Sequence, residues 1–91
     1  MITGIVLINV QRPSLKNVIK DILALDGVTE VYTVAGEYDL VAIARVENNK
    51  KLSDIIADKM QHSIDGITHT KTLIALEAHS DVDLKKVFNI H

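Results

Sequence analysis

Val34-Ala35-Gly36-Glu37-Tyr38-Asp39-Leu40 is where this chain turns back on itself. The stretch joins two runs rich in β-branched residues, 28–34 and 40–46. Gly36 supplies the backbone freedom that a turn needs. Two such runs so close in sequence read as a β-hairpin. Asp39 stands where the turn feeds the second run. A carboxylate there has two uses: it can cap N–H groups of the turn, or it can receive the ammonium of a ligand.

Toward the N-terminus, Ile5-Val6-Leu7-Ile8 reads as a strand reaching about Val10, and Gln11-Arg12-Pro13-Ser14 breaks it. Ser14 is a candidate N-cap. Leu15, Val18, Ile19, Ile22 and Leu23 then repeat at i, i+3, i+4, i+7 and i+8, one stripe of an amphipathic helix. Asp26-Gly27 ends that helix, with Gly27 suited to a left-handed C′ position. Toward the C-terminus, Asn48-Asn49 signals a turn and a cap. Leu52, Ile55, Ile56 and Met60 form a second helical stripe whose edge Lys59 breaks. Asp65-Gly66 closes it, and 67–76 reads as the fourth strand.

The order is β-α-β-β-α-β. Asp26-Gly27-Val28-Thr29 recurs 39 positions later as Asp65-Gly66-Ile67-Thr68, both copies at a helix-to-strand junction. Two βαβ halves related in this way predict an α+β, ferredoxin-like fold. Right-handed crossovers then place both helices on one face of a four-stranded antiparallel sheet.

That topology makes the first and third strands central. The first presents Val6, Ile8 and Val10 on one side and Ile5 and Leu7 on the other. The third presents Leu40, Ala42, Ala44 and Val46 against Val41 and Ile43. Both are apolar on both faces, yet helices cover only one, so the open face is expected to pack on a second copy as a dimeric α+β barrel. The edge strands are more polar. In the second, Thr29, Val31 and Thr33 alternate with Val28, Glu30, Tyr32 and Val34; in the fourth, Thr68, Thr70 and Thr72 alternate with His69 and Lys71. Residues 1–77 are expected to form the domain, with 78–91 a C-terminal tail. There Ser80-Asp81-Val82-Asp83 resembles a capping box, and Leu84, Val87 and Phe88 would be the apolar side of a short helix.

Composition agrees with self-association. The chain has 91 residues, enough for one small domain, and 47% of them are apolar. A domain this small buries only roughly 60–65% of its unfolded surface, which leaves apolar surplus for a partner subunit. A net charge of −2 argues against a nucleic-acid or anionic-membrane partner. Without cysteine there is no disulfide framework, thiolate metal site or cysteine nucleophile. The N-terminus lacks the charged region and long apolar core of a signal peptide, and the apolar runs are too short to span a bilayer. A cytoplasmic location is the expectation.

No G-x-S-x-G, H-E-x-x-H, P-loop or G-x-G-x-x-G is present. His62, His69, His79 and His91 lack the i, i+4 spacing of helical metal ligands, and His69 and His79 read as surface residues rather than a metal site. Neither metal nor cofactor is expected. Glu37 and Asp39 flank Tyr38; with no other reactive group beside them, a structural role outweighs acid–base catalysis. Binding is a separate matter. Turn N–H groups can hold the carboxylate of a small zwitterion, Asp39 its ammonium, and Tyr38 can add a ring wall and a hydroxyl. For Asp39 that reading stands level with simple turn capping.

Two motifs together carry a family resemblance. Val31-Tyr32-Thr33-Val34-Ala35-Gly36-Glu37-Tyr38-Asp39-Leu40 and Asp65-Gly66-Ile67-Thr68-His69-Thr70-Lys71-Thr72-Leu73-Ile74 resemble the effector-binding (RAM) domain of the Lrp/AsnC regulators. In that family a V-x-G-x-Y/F-D turn and a P-G-V-x-x-T-x-T strand entry recur at this separation; here Asp65 stands where Pro is common. The resemblance covers about residues 3–77. It implies a dimeric α+β barrel, rings of dimers, and an amino-acid effector bound between dimers. Carried over, that site would use Gly36, Tyr38 and Asp39 of the turn, with Thr70, Thr72 and Ile74 completing it across an interface. The family's helix-turn-helix has no counterpart here. The resemblance thus implies a stand-alone amino-acid-binding regulatory domain that does not bind DNA itself and modulates full-length relatives by mixed assembly, or acts as a sensor or carrier. The alternative is a small dimeric α+β barrel enzyme, a monooxygenase or isomerase, with a cavity between sheet and helices for which Asn9 and Tyr32 are the best polar candidates. An ACT-type regulatory domain shares the element order but pairs its sheets side by side.

Overall fold

The computed structural model describes residues 1–81. The expected tail helix at Leu84, Val87 and Phe88 lies outside the described residues. Strand β1 (Ile2–Val10) leads through a 3₁₀ turn (Arg12–Ser14) into α1 (Leu15–Leu23), β2 (Val28–Thr33) and β3 (Leu40–Val46). A continuous helix, α2, follows, α-helical over Asn49–Ser53, π-helical over Asp54–Met60 and α-helical again over Gln61–Ser63. β4 (Ile67–Ala75) completes the fold.

The sheet is antiparallel in the order β2-β3-β1-β4, so β1 and β3 are central and the β2–β3 connection is a hairpin, as the sequence predicted. This is the α+β, ferredoxin-like arrangement. Register separates the faces. Val6 and Ile8 of β1 with Leu40 and Ala42 of β3 point to the helices and are fully buried against Val18 and Ile22 of α1 and Met60 of α2. Ile5, Leu7, Val41 and Ile43 point the other way, onto the face no helix covers, where they are only half-buried by their neighbours in the sheet. Leu73 and Tyr32 lie at its margins, 44% and 51% exposed.

The Asp-Gly repeat goes deeper than its four letters. Gly27 and Gly66 take nearly the same backbone angle, φ +101° and +100°. Each carbonyl accepts a backbone N–H at 2.8 Å, from Arg45 and Gln11 respectively. Each is followed by a β-bulge at which the Thr is the extra residue. Val28 pairs with Ala44 and Glu30 with Ile43, so Thr29 is passed over; Ile67 pairs with Val10 and His69 with Asn9, so Thr68 is passed over. Strict alternation therefore fails in both edge strands. The bulge lets Val28 and Val31, and likewise Ile67 and Thr70, face the helices together.

Two helix expectations need correction. Ser14 makes no side-chain cap bond. Its own backbone is already helical (φ −92°, ψ −3°), because Pro13 starts the helical turn earlier and the Ser14 N–H bonds to the Gln11 carbonyl at 2.9 Å. Leu23, placed on the apolar stripe, is 49% exposed. Asn48 does cap α2, its Oδ1 accepting the Lys51 N–H at 2.9 Å. The π segment explains Lys59. Its i→i+5 geometry aligns residues five apart, so Ile55 and Met60 both enter the core while Lys59 turns out to solvent.

On the open face, β2 and β3 share a polar corner. Arg45 Nη1 donates to Glu30 Oε1 at 2.6 Å and to Thr29 Oγ1, and the Tyr32 hydroxyl donates to Glu30 Oε2. The Tyr32 hydroxyl, then Arg45, hold the Glu30 carboxyl below its ordinary 4.5, while Glu30 holds the Tyr32 hydroxyl above 10.0. The linkage signs follow. The depressed Glu30 contributes stability that is present above 4.5 and lost as pH falls through its lower folded-state value. The raised Tyr32 contributes stability that is present below 10.0 and lost as pH rises through its higher folded-state value. Thermal melts across pH should therefore show a plateau with two falling flanks, and Tyr32→Phe should flatten both; flanks unchanged in that variant would exclude the corner as their source.

Candidate functional site

The six residues singled out in the sequence fall into two groups. Gly36, Tyr38 and Asp39 sit at the β2–β3 connection, at the end of the sheet where β1 finishes. Gly36 is exposed, with φ +129° and no atom within 4 Å of where a Cβ would stand. Tyr38 and Asp39 are half-buried. The backbone pins Asp39 from both sides: its N–H donates to the Ile8 carbonyl at 2.9 Å, and its carbonyl accepts the Val34 N–H at 3.0 Å. Its carboxylate accepts the Val10 N–H at 2.9 Å. Asp39 thus caps the end of β1 rather than N–H groups of its own turn. Glu37 is exposed.

Thr70, Thr72 and Ile74 form a row on β4, opposite Ile8, Val6 and Gly4 of β1, on the face that carries the helices. The Thr70 hydroxyl accepts a hydrogen bond from Gln61 Nε2 at 3.1 Å. Thr72 and Ile74 line a groove of about 280 Å³ against Asn49, Leu52, Ser53, Ile56 and Ala57 of α2. Ile74 is 48% exposed, so it is a groove wall rather than core. Within one chain the two groups do not meet. Thr70 shares a register row with Ile8 and Leu40, two strand spacings or roughly 10 Å from the turn, and Ile74 lies a further ~13 Å along the strand.

Sequence reading missed Val10 and Gln61, the partners of Asp39 and Thr70, and the α2 residues that wall the groove. Asn49 was visible only as part of a cap signal; Gln61 carried no signal. Asn9 and Tyr32 lie on the open face, opposite His69 and Val41, not between sheet and helices. His69 shares that face, and His79 Nε2 lies 3.1 Å from Glu77 at the surface. Among the described residues no group of three or more His, Cys, Asp or Glu side chains is placed to hold a metal. No helix among them is long and apolar enough to cross a membrane.

The model of the Lrp/AsnC ligand binding domain matches residues 3–83. The chain belongs to the Lrp/AsnC ligand-binding-domain family. Among curated relatives, the HTH-type transcriptional regulator FL11 of Pyrococcus furiosus is 30% identical over 80 residues, 88% of this chain and 52% of the regulator. The chain thus spans about half the length of the curated relatives it matches. Among solved structures, TTHA0845 from Thermus thermophilus superposes with a TM-score of 0.82 at 36% identity, covering 88% of this chain and 99% of that one. A feast or famine regulatory protein of M. tuberculosis, complexed with L-methionine, shares the fold with a TM-score of 0.73 at 24% identity, over 91% of this chain and 56% of that one. The Lrp/AsnC motifs lie where the fold makes them adjacent to strand ends: the turn motif at the tip of the β2–β3 hairpin, the Gly-β-x-x-T-x-T motif at the bulged start of β4.

Proposed function

We propose that residues 1–77 form an amino-acid-binding regulatory unit without catalysis. Its open sheet face packs on a second copy as a dimeric α+β barrel. Further assembly of dimers into a ring brings Gly36, Tyr38 and Asp39 of one chain to Thr70, Thr72 and Ile74 of another. The effector sits at that seam, its ammonium on Asp39 and its carboxylate on backbone N–H groups of the turn. The observation that supports this reading is the separation of the two groups within one chain, two strand spacings or roughly 10 Å at the nearest, a gap that a neighbouring chain would close. The L-methionine complex of the M. tuberculosis protein supports the ligand class. The regulator relatives support a role in transcription, exercised in the cytoplasm together with Lrp/AsnC partners.

A barrel enzyme is disfavoured by a specific observation. The middle of the space between sheet and helices is filled by Val6, Ile8, Val18, Ile22, Leu40 and Met60, all without exposure, and the polar pair Asn9 and Tyr32 faces the other way.

Thermal-shift screening with the twenty amino acids tests the proposal. A ligand at 100 times its Kd adds about 2.7 kcal/mol of stability. Asp39→Asn keeps an oxygen for the Val10 N–H and removes the charge, so the ligand shift should diminish while the unliganded melting point moves little. Asp39→Ala should diminish the shift equally and also lose about 1 kcal/mol, because the Val10 N–H loses its acceptor. No shift with any amino acid at millimolar concentration, or an undiminished shift in Asp39→Asn, counts against the site.

A further inference from the structure

A second cavity, about 420 Å³, lies at the end of the sheet opposite the 36–39 turn, where β3 finishes and β1 begins. Its volume falls in the range of small-molecule sites. Leu25, Val46 and Ile55 give it an apolar wall, and charged side chains of both signs ring it. Some of these are already engaged. Arg45 is held by Glu30 on the open face at 2.6 Å, and Lys51 pairs with Glu47 at 3.4 Å. Among the described residues Asp26, Asp54 and Lys59 make no side-chain hydrogen bond or ion pair.

The π segment of α2 is what brings two of these together. In a regular α-helix residues five apart point about 140° away from each other. The i→i+5 geometry over Asp54–Met60 brings them into line, and Asp54 and Lys59 both border this cavity whereas Asp58 does not. The same widened turn that sets Ile55 with Met60 in the core sets a carboxylate and an ammonium at one mouth. Isolated π turns are found disproportionately at functional sites.

We propose that this cavity binds a small zwitterion with an apolar side chain, a free amino acid or a dipeptide. The ligand's carboxylate meets Lys59, its ammonium meets Asp54 and Asp26, and its side chain lies on Leu25, Val46 and Ile55. The site is complete within one chain, and it stands or falls independently of the seam site, because neither shares a residue with the other.

Calorimetric titration of the Asp39→Asn chain separates the two. The probes are L-leucine, L-methionine, L-phenylalanine and L-leucyl-L-leucine. At least one should bind that variant with one site per chain. Adding Lys59→Gln or Asp54→Asn, both changes at exposed positions whose circular dichroism should match the parent's, should weaken the binding at least about tenfold. If no probe binds Asp39→Asn at millimolar concentration, or if Lys59→Gln binds as tightly as its parent, the inference is overturned. Equal binding by wild type and Asp39→Asn would instead count against the seam site while leaving this one standing.

Discussion

Gly66→Ala is expected to lower stability by about 3 kcal/mol and the melting temperature by about 15 °C at fixed protein concentration. Two costs add. At φ +100° an L side chain is strained, and the Cβ would stand 2.5 Å from Ser14 Cβ and 2.8 Å from Ser14 Oγ. A Cβ is placed by its backbone and cannot rotate away, so the start of α1 has to move off β4. Gly36→Ala is the matching control. Its φ is also positive, +129°, but nothing lies within 4 Å, so only the conformational cost remains, about 1 kcal/mol. Ser14→Gly in the Gly66→Ala background should recover part of the loss, and a double-mutant cycle reads the recovery as a coupling energy. If urea melts give Gly66→Ala and Gly36→Ala the same cost, the helix–strand junction is not closely packed.

That junction also shows what a sequence can reveal. The Asp-Gly repeat was readable because a glycine between a helical stripe and a β-branched run has few other reasons to be there, and its meaning is local. The bulges were not readable. Thr29 and Thr68 preserve a plausible alternation, and only pairing with β3 and β1 shows that each is passed over. Ser14 failed as a cap for a tertiary reason: its side chain is packed against Gly66, 52 positions away in sequence, and Pro13 had already set the helix in motion. Lys59 was visible as an irregularity in the second stripe, but periodicity at 3.6 residues cannot express a turn that has widened.

The candidate site divides along the same line. Gly36, Tyr38 and Asp39 fall within one four-residue turn segment, so their grouping needed no fold. Thr70, Thr72 and Ile74 alternate, so their common face was legible too. What could not be read is where these two groups stand relative to each other. That depends on β1 lying between β3 and β4, which sets them at least two strands apart. Nor could the Asp39 carboxylate be assigned to the Val10 N–H, a partner 29 positions away.

Ile43→Glu should weaken self-association by at least about a thousandfold, roughly 4 kcal/mol, while leaving the protomer folded. Ile43 sits in the middle of the open face, beside Ile5 in the register, with Leu73 next in the row. It points away from the helices, so the core of Val6, Ile8, Ile22 and Met60 does not feel the change. In a twofold pair the substitution appears twice. Each copy forfeits about 1.5–3 kcal/mol of apolar burial and adds a carboxylate whose desolvation costs several kcal/mol more. Ile43→Val keeps the face apolar and should associate almost as wild type does. Sedimentation velocity distinguishes these variants, and circular dichroism checks that the helices survive in both. The part of the amino-acid-dependent thermal shift that Asp39→Asn removes should disappear together with the assembly, since a seam that has come apart holds no ligand. An Ile43→Glu chain that sediments like wild type would mean the uncovered sheet face is not what joins two copies, and the seam built upon that joining would lose its foundation.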